Sequence, residues 1–175
     1  MGAGKTSVGR CLGEHLKWEF EDLDDRIERN EGRSVIEIFA SSGEPAFRRA
    51  ETAALGQTLQ DVETGSQRVV ALGGGAFVQR ANAAALQAAG VPVVFLDADV
   101  EDLWERCERQ ATDRGASRPL LRDRKRFSAL NRSRRKAYMA ASMSIDTTGK
   151  KIETISKEIA KALGLKTYSQ KEKSI

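Results

Sequence analysis

Histidine is nearly missing from this 175-residue chain: His15 is the single one. Its place in a helical pattern reads as helix surface, which argues against chemistry built on an imidazole triad or a histidine metal site. Cysteine is scarce too. Cys11 and Cys107 have neither the number nor the spacing of a disulfide framework or a zinc motif. Both fall in helical patterns and read as reduced, buried thiols of a cytoplasmic protein. No apolar run approaches the ~20 residues of a bilayer span, and no hydrophobic leader follows Met1, so neither membrane insertion nor secretion is implied. Aromatic residues are only 6% of the chain. That scarcity matters most where the charge is concentrated. From Arg114 to Lys136 there are ten Arg and Lys against Asp123 alone, a local charge of +9, so the overall +4 leaves −5 for everything else. Such a stretch suits either nucleic acid or a cover that closes on polyphosphate. Phe127 is its only aromatic residue, so the base-stacking platform of a single-strand binder is lacking. No nucleic-acid partner is expected.

The informative residues stand at the very start. Gly2-Ala3-Gly4-Lys5-Thr6-Ser7 is the second half of the phosphate-binding loop G-x-x-x-x-G-K-[ST]. Its glycines let backbone N–H groups turn toward a polyphosphate, its lysine neutralises the outer phosphates and its hydroxyl ligates Mg²⁺. The first glycine of the motif, and a strand leading into it, do not precede Gly2. Taken alone, the fragment also reads as a Gly-Ala-Gly turn before a helix.

The rest of the chain alternates short β-branched runs with helical patterns. Val8, Leu12 and Leu16 share a helix face, and a short strand follows around Trp18 to Glu21. Ser34 with Glu37 forms a capping box. That helix reaches Gly43, and a longer one starts near Pro45. Strands are expected over 68–72, 91–96 and 143–146, helices over 82–89, from Asp99 through Cys107, through Leu130 to Tyr138, and over 152–163. The run 91–96 reads as the clearest buried parallel strand. Alternation with right-handed crossovers implies an α/β fold, a parallel sheet with helices on both faces, in which ligands bind beyond the carboxyl ends of the strands. Lys5 and Thr6, then Asp22 and Asp24, then Gly73-Gly74-Gly75 all fall at such ends. Asp22 and Asp24 read equally as an acidic helix N-terminus, Arg48 as a solvated charge paired with Glu44 or Glu51, and the three glycines as a tight strand-to-helix turn.

Several groups of residues, taken in order, resemble shikimate kinase, a small relative of the nucleoside monophosphate kinases. They are Gly2-Ala3-Gly4-Lys5-Thr6, Asp22-Leu23-Asp24, Gly32-Arg33-Ser34, Phe47-Arg48-Arg49 with Glu51, Leu72-Gly73-Gly74-Gly75, Arg118-Pro119-Leu120-Leu121, and Arg134 four before Tyr138. The resemblance runs from Met1 to Leu163. It implies a three-layer P-loop kinase fold whose central first strand is not in this chain, so that two inner strands lack their partner and both folding and ATP binding are weakened. It also implies transfer of the γ-phosphoryl group of ATP to the 3-hydroxyl of shikimate, with Mg²⁺, in a cytoplasmic monomer.

By the same resemblance Lys5, Asp24 and Arg118 are catalytic. Asp24, Arg48, Gly73, Gly74, Gly75 and Arg134 bind shikimate, with Arg49 adjacent. Gly2, Ala3, Gly4, Lys5, Thr6, Ser7 and Arg118 hold ATP, and Thr6 and Asp22 serve the metal. One domain is expected over 1–166, with a lid near 111–126 longer than is usual for the family, and a polar tail over 167–175. Arg109 or Arg114 is a candidate cover for adenine. Two other readings remain open: a P-loop kinase for another small polyol or a nucleotide, and a non-catalytic sensing domain of the same fold.

Overall fold

The computed structural model describes residues 2–114 and 123–168, without the side chains of 110–114. Helix α1 (Lys5–Leu16) starts from Gly4, whose φ of 78° is open to glycine at little cost. Strand β1 (Glu19–Asp22) leads directly into α2 (Leu23–Glu31). Asp22 is both the last strand residue and the N-cap of α2, accepting from the Asp24 backbone N–H at 3.2 Å. Asp22 thus does the work that the helix-terminus reading of this acidic pair expects.

Helix α3 (Val35–Glu63) opens on the expected capping box. Ser34 Oγ accepts from the Glu37 backbone, and Glu37 accepts from the Ser34 backbone. The helix breaks at Gly43 (φ 74°, ψ 175°), and Pro45 follows in the first turn of its second half. Ser34→Ala removes one cap partner, and urea unfolding should report a loss of about 0.5–2 kcal/mol; an unchanged midpoint would show that the box is ornamental. Strand β2 (Arg68–Ala71), a 3₁₀ turn (Ala76–Val78), α4 (Arg80–Ala88), β3 (Val94–Asp97), α5 (Val100–Arg114), α6 (Arg124–Tyr138), β4 (Met143–Asp146) and α7 (Ile152–Ala162) complete the order.

Alternation along the strands builds two cores. Val70 and Leu72 pack with Leu23, Ile27, Ile38, Phe47 and Leu55 from α2 and α3, while Val69 packs with Leu12, Leu16 and Ile159 from α1 and α7. Val93 and Val94 divide between the same two cores. Helices thus cover both faces, as the alternating pattern required. The packed face of α7 is made by Ile155, Ser156, Ile159 and Ala160, with Ile152 exposed at its start. Ser156 is fully buried and its Oγ lies 2.9 Å from His15 Nδ1. His15 is therefore half-buried at the α1–α7 contact and not the free surface residue the pattern suggested.

Among the described residues the sheet is two separate parallel pairs. β1 pairs with β2 from Glu19↔Arg68 to Asp22↔Ala71, and β3 pairs with β4 from Val94↔Met143 to Asp97↔Asp146. β2 and β3 share no ladder, and a cavity of about 700 Å³ lies between them. This is where the expected central strand would run. Its absence explains why β3, the strand expected to be most buried, is only half-buried except at Leu96.

Candidate active site

Three segments meet at the carboxyl ends of β1 and β2. The first is the start of α1. Gly2 and Gly4 have φ of 72° and 78°, and a Cβ at Gly2 would lie 2.9 Å from Cys107 Sγ, so only glycine fits against α5 here. No side-chain hydrogen bond caps the start of α1 at Gly4, and a helix start of this kind favours anions. Thr6 and Ser7 are exposed at that end, and Lys5 is half-buried beside them. Burial lowers the Lys5 pKa, and the nearby charges of Asp22 and Asp24 oppose that shift. Thr6 Oγ1 donates to Asp22 Oδ2 at 2.9 Å, so a hydroxyl and a carboxylate, both hard oxygen ligands, stand side by side.

The second segment is α2 with the second half of α3. Burial, with repulsion from Asp22 and Glu51, raises the Asp24 pKa to about 6, partly offset by Lys5. Its Oδ1 is buried and has no hydrogen-bond partner, and the same is true of Glu51 Oε1. The other Glu51 oxygen, Oε2, accepts from Arg48 Nη1 at 2.8 Å and from Gln79 Nε2 at 2.6 Å. Arg48 is also held by Glu44 at 2.9 Å. Burial works against its charge, but the hydrogen bonds to Glu51 and Glu44 prevail and raise its pKa. Arg49, one residue on, is exposed, since consecutive helix positions point about 100° apart. Below the pocket Arg26 ties α2 to buried Glu21 at 2.8 Å and to Asp61 of α3 at 2.6 Å, which fixes the helix that carries Asp24.

The third segment is the glycine run, and each glycine leaves room for a different group. A methyl group at Gly73 would lie 2.9 Å from Asp24 Oδ1 and 3.0 Å from Glu51 Oε1, and one at Gly74 would lie 3.0 Å from Arg134 Nη1. One at Gly75 would lie 2.6 Å from Arg48 Cζ, although the Gly75 backbone itself (φ −106°) suits any residue. Tyr138, one turn after Arg134 on α6, donates its hydroxyl to the Gly74 carbonyl. Gly75→Ala should displace the Arg48 guanidinium. If Arg48 reads the acceptor, the acceptor KM should rise about tenfold or more, the loss of one charge-assisted contact. The ATP KM should stay put in steady-state assays; equal change in both would show a general loosening.

The site thus brings together Lys5, Thr6, Asp22, Asp24, Arg48, Gly73 to Gly75 and Arg134 from five elements and the glycine loop after β2. Arg118 and its neighbours of the expected lid lie outside the described residues, as do residues 169–175 of the expected tail. Sequence reasoning gave no role to Gln79, to Tyr138 as a partner of the glycine run, or to the buried, unpartnered oxygen of Glu51. It also missed Arg106, which donates to the Thr147 carbonyl at 2.8 Å and to Thr147 Oγ1 at 3.1 Å, anchoring the turn after β4. Only the position of Glu51 three residues after Arg48 offered a signal.

The shikimate kinase family model matches residues 1–164. The shikimate kinase of Geobacter metallireducens is 43% identical over 162 residues, which cover 91% of this chain and 85% of that protein. The shikimate kinase of Cereibacter sphaeroides is 38% identical over 166 residues, covering 93% and 78%. Among solved structures, the shikimate kinase of Acinetobacter baumannii in complex with shikimate superposes with a TM-score of 0.78 at 32% identity, over 93% of this chain and 88% of that one. The Aquifex aeolicus shikimate kinase does so with a TM-score of 0.77 at 27% identity, over 94% and 91%. The match extends from the phosphate-loop fragment to the end of the last helix and holds in both sequence and fold, so the chain belongs to the shikimate kinase family of ATP-dependent phosphotransferases.

Proposed function

We propose that this chain transfers the γ-phosphoryl group of ATP to the 3-hydroxyl of shikimate, giving shikimate 3-phosphate and ADP on the route to chorismate and the aromatic amino acids. The observation that carries the reading is the placement of Asp24. Its buried oxygen is unpartnered, it keeps a proton up to about pH 6, and it stands between the phosphate-loop lysine and a pocket flanked by Arg48 and Arg134. A hydroxyl hydrogen-bonded to that oxygen is oriented for attack, and the ionised carboxylate takes its proton as the O–P bond forms. Arg48 and Arg134 bind the shikimate carboxylate, the match of a planar fork to two oxygens. Gly73 to Gly75 let backbone approach the sugar-like ring.

Gly2, Ala3, Gly4, Lys5, Thr6 and Ser7 bind the polyphosphate, and Lys5 offsets its charge. Arg118 supplies the lid arginine that reaches the transferring group. Thr6 and Asp22, whose oxygens already touch, fit Mg²⁺ and would hold it; bound there, the ion neutralises phosphate charge. The reading takes the protein as one domain over 1–166 with a tail over 167–175, working as a cytoplasmic monomer without nucleic acid. In support, the described residues share continuous cores and both cysteines are free thiols. No described helix is long and apolar enough to cross a membrane.

A coupled ADP-release assay tests this. ADP should form with shikimate and not with nucleoside monophosphates or other polyols. ADP release that ignores shikimate but follows another acceptor would favour a different P-loop kinase.

A further inference from the structure

The Arg48 guanidinium is held by two carboxylates that differ in kind. On the outside Glu44 accepts from Nε at 3.2 Å and from Nη2 at 2.9 Å, and its side chain is 64% exposed. On the inside Glu51 accepts from Nη1 at 2.8 Å, and its side chain is 1% exposed. An exposed carboxylate turns freely in solvent and a buried one does not. The direction of the guanidinium therefore depends on what fixes Glu51.

Arg48 alone does not fix it, because a carboxylate offers two equivalent oxygens. The segment from Gly73 to Gln79 removes that freedom by passing around the Arg48–Glu51 pair. Gly73 lies against Glu51 Oε1, where a methyl group would come within 3.0 Å, and Gly75 lies against the Arg48 guanidinium. Gln79 Nε2 donates to Glu51 Oε2 at 2.6 Å, the oxygen that Arg48 also uses. An ionised carboxylate only accepts, so the Gln79 amide must present its nitrogen here.

Gln79 stands at the N-cap of α4, where Ser, Thr, Asp and Asn are the usual residues. Its backbone carbonyl serves that position, accepting from the Ala83 N–H at 3.0 Å. Its side chain makes no cap hydrogen bond. It reaches across to α3 instead, a contact that the start of α4 does not require.

We propose that Gln79 is a positioning residue for acceptor recognition: it locks Glu51 Oε2 against Arg48, and Glu51 in turn aims the guanidinium at the acceptor carboxylate. The positioning role rests on the reading of Arg48 as an acceptor-binding arginine, and the lock itself does not.

The test compares two variants. Gln79→Met keeps the length and removes the donor, and Gln79→Glu keeps the shape and turns the donor into a second carboxylate. Urea unfolding at pH 7 reads the lock without any substrate. Gln79→Glu should have the lower midpoint of the two, because it sets like charges together beside a buried carboxylate. A residue that served only the start of α4 would give the opposite order, since a carboxylate at a helix N-terminus is stabilising. Steady-state kinetics read the role. In Gln79→Met the shikimate KM should rise about tenfold, the loss of one hydrogen bond to a charged group, and the ATP KM should stay put. Its kcat should fall less than about twofold, since what is lost is binding common to ground and transition states. In Gln79→Glu the rise in shikimate KM should be larger still.

A midpoint for Gln79→Glu at or above that of Gln79→Met would overturn the lock. A shikimate KM that does not move, or that rises together with the ATP KM, would overturn the positioning role. So would a kcat that falls while both KM values hold. If the midpoints follow the expected order but the wild-type chain phosphorylates a different acceptor and not shikimate, the lock stands and the shikimate reading fails.

Discussion

Asp24→Asn is expected to lower kcat by about two to four orders of magnitude, the usual cost of removing a general base, while the affinity for ATP survives. The side chain keeps its shape and one hydrogen-bonding oxygen, so orientation is largely retained and proton acceptance is lost. In the wild-type chain the pKa of about 6 makes kcat/KM rise with pH through that value and then level off.

The same shift has a consequence for stability, and the sign follows from linkage. The folded state holds the Asp24 proton more tightly than the unfolded state, whose carboxyl has the ordinary value of 3.8. Between about pH 4 and 6 the folded chain therefore binds more protons, and stability falls as pH rises across that window. The amide that Asp24→Asn puts in place of the carboxyl does not titrate, so the variant should lose this slope and be the more stable protein at neutral pH. Urea unfolding of both proteins at pH 4 and pH 7, alongside turnover, separates the two effects. A variant of near-normal turnover that is also no more stable at pH 7 would return Asp24 to the role of a helix-terminus charge.

Arg48→Ala and Arg134→Ala should each weaken shikimate about ten- to a hundredfold, the loss of a charge-assisted contact worth about 1.5–3 kcal/mol. ATP binding should change far less. Arg48→Ala carries a further cost, because Glu51 is almost wholly buried and would then keep only Gln79 as partner. Calorimetric titration with each substrate separates recognition from folding. Equal losses for both substrates would remove these arginines from acceptor binding. Arg49→Ala, whose side chain points to solvent, serves as the internal comparison and should leave both affinities unchanged.

The contrast between Arg48 and Arg49 shows where sequence reading stops. Adjacent arginines in a helix cannot be told apart until the burial of the helix is known, and here Phe47 and Glu51 turn the Arg48 face inward. The parts set by local rules were legible: the capping box at Ser34, the break at Gly43, the α1 stripe and the ends of β4. The phosphate-loop fragment and the aspartate pair pointed to chemistry only through the family resemblance, because taken alone the one also reads as a tight turn and the other equally as an acidic helix start. Gln79 was not legible, since its role depends on a glutamate 28 positions away and on the path of the glycine run between them. Tyr138 was legible as a motif member but not as the donor to Gly74, a contact across 64 residues. The half-burial of β3 was misjudged because an apolar β-branched run reports what a strand needs around it, not whether the neighbour is there.

The most direct test of the central claim is the identity of the product. The 175-residue chain is incubated with ATP, Mg²⁺ and shikimate at enzyme concentrations near those of the substrates, so that a slow rate does not hide the outcome. ³¹P NMR and mass spectrometry then follow the phosphoryl group. Shikimate phosphorylated at the 3-hydroxyl, formed one for one with ADP and lost in Asp24→Asn, is the result expected. ADP and free phosphate with unchanged shikimate, or a phosphate on a different hydroxyl, would contradict the assignment of Asp24 and of the pocket between Arg48 and Arg134.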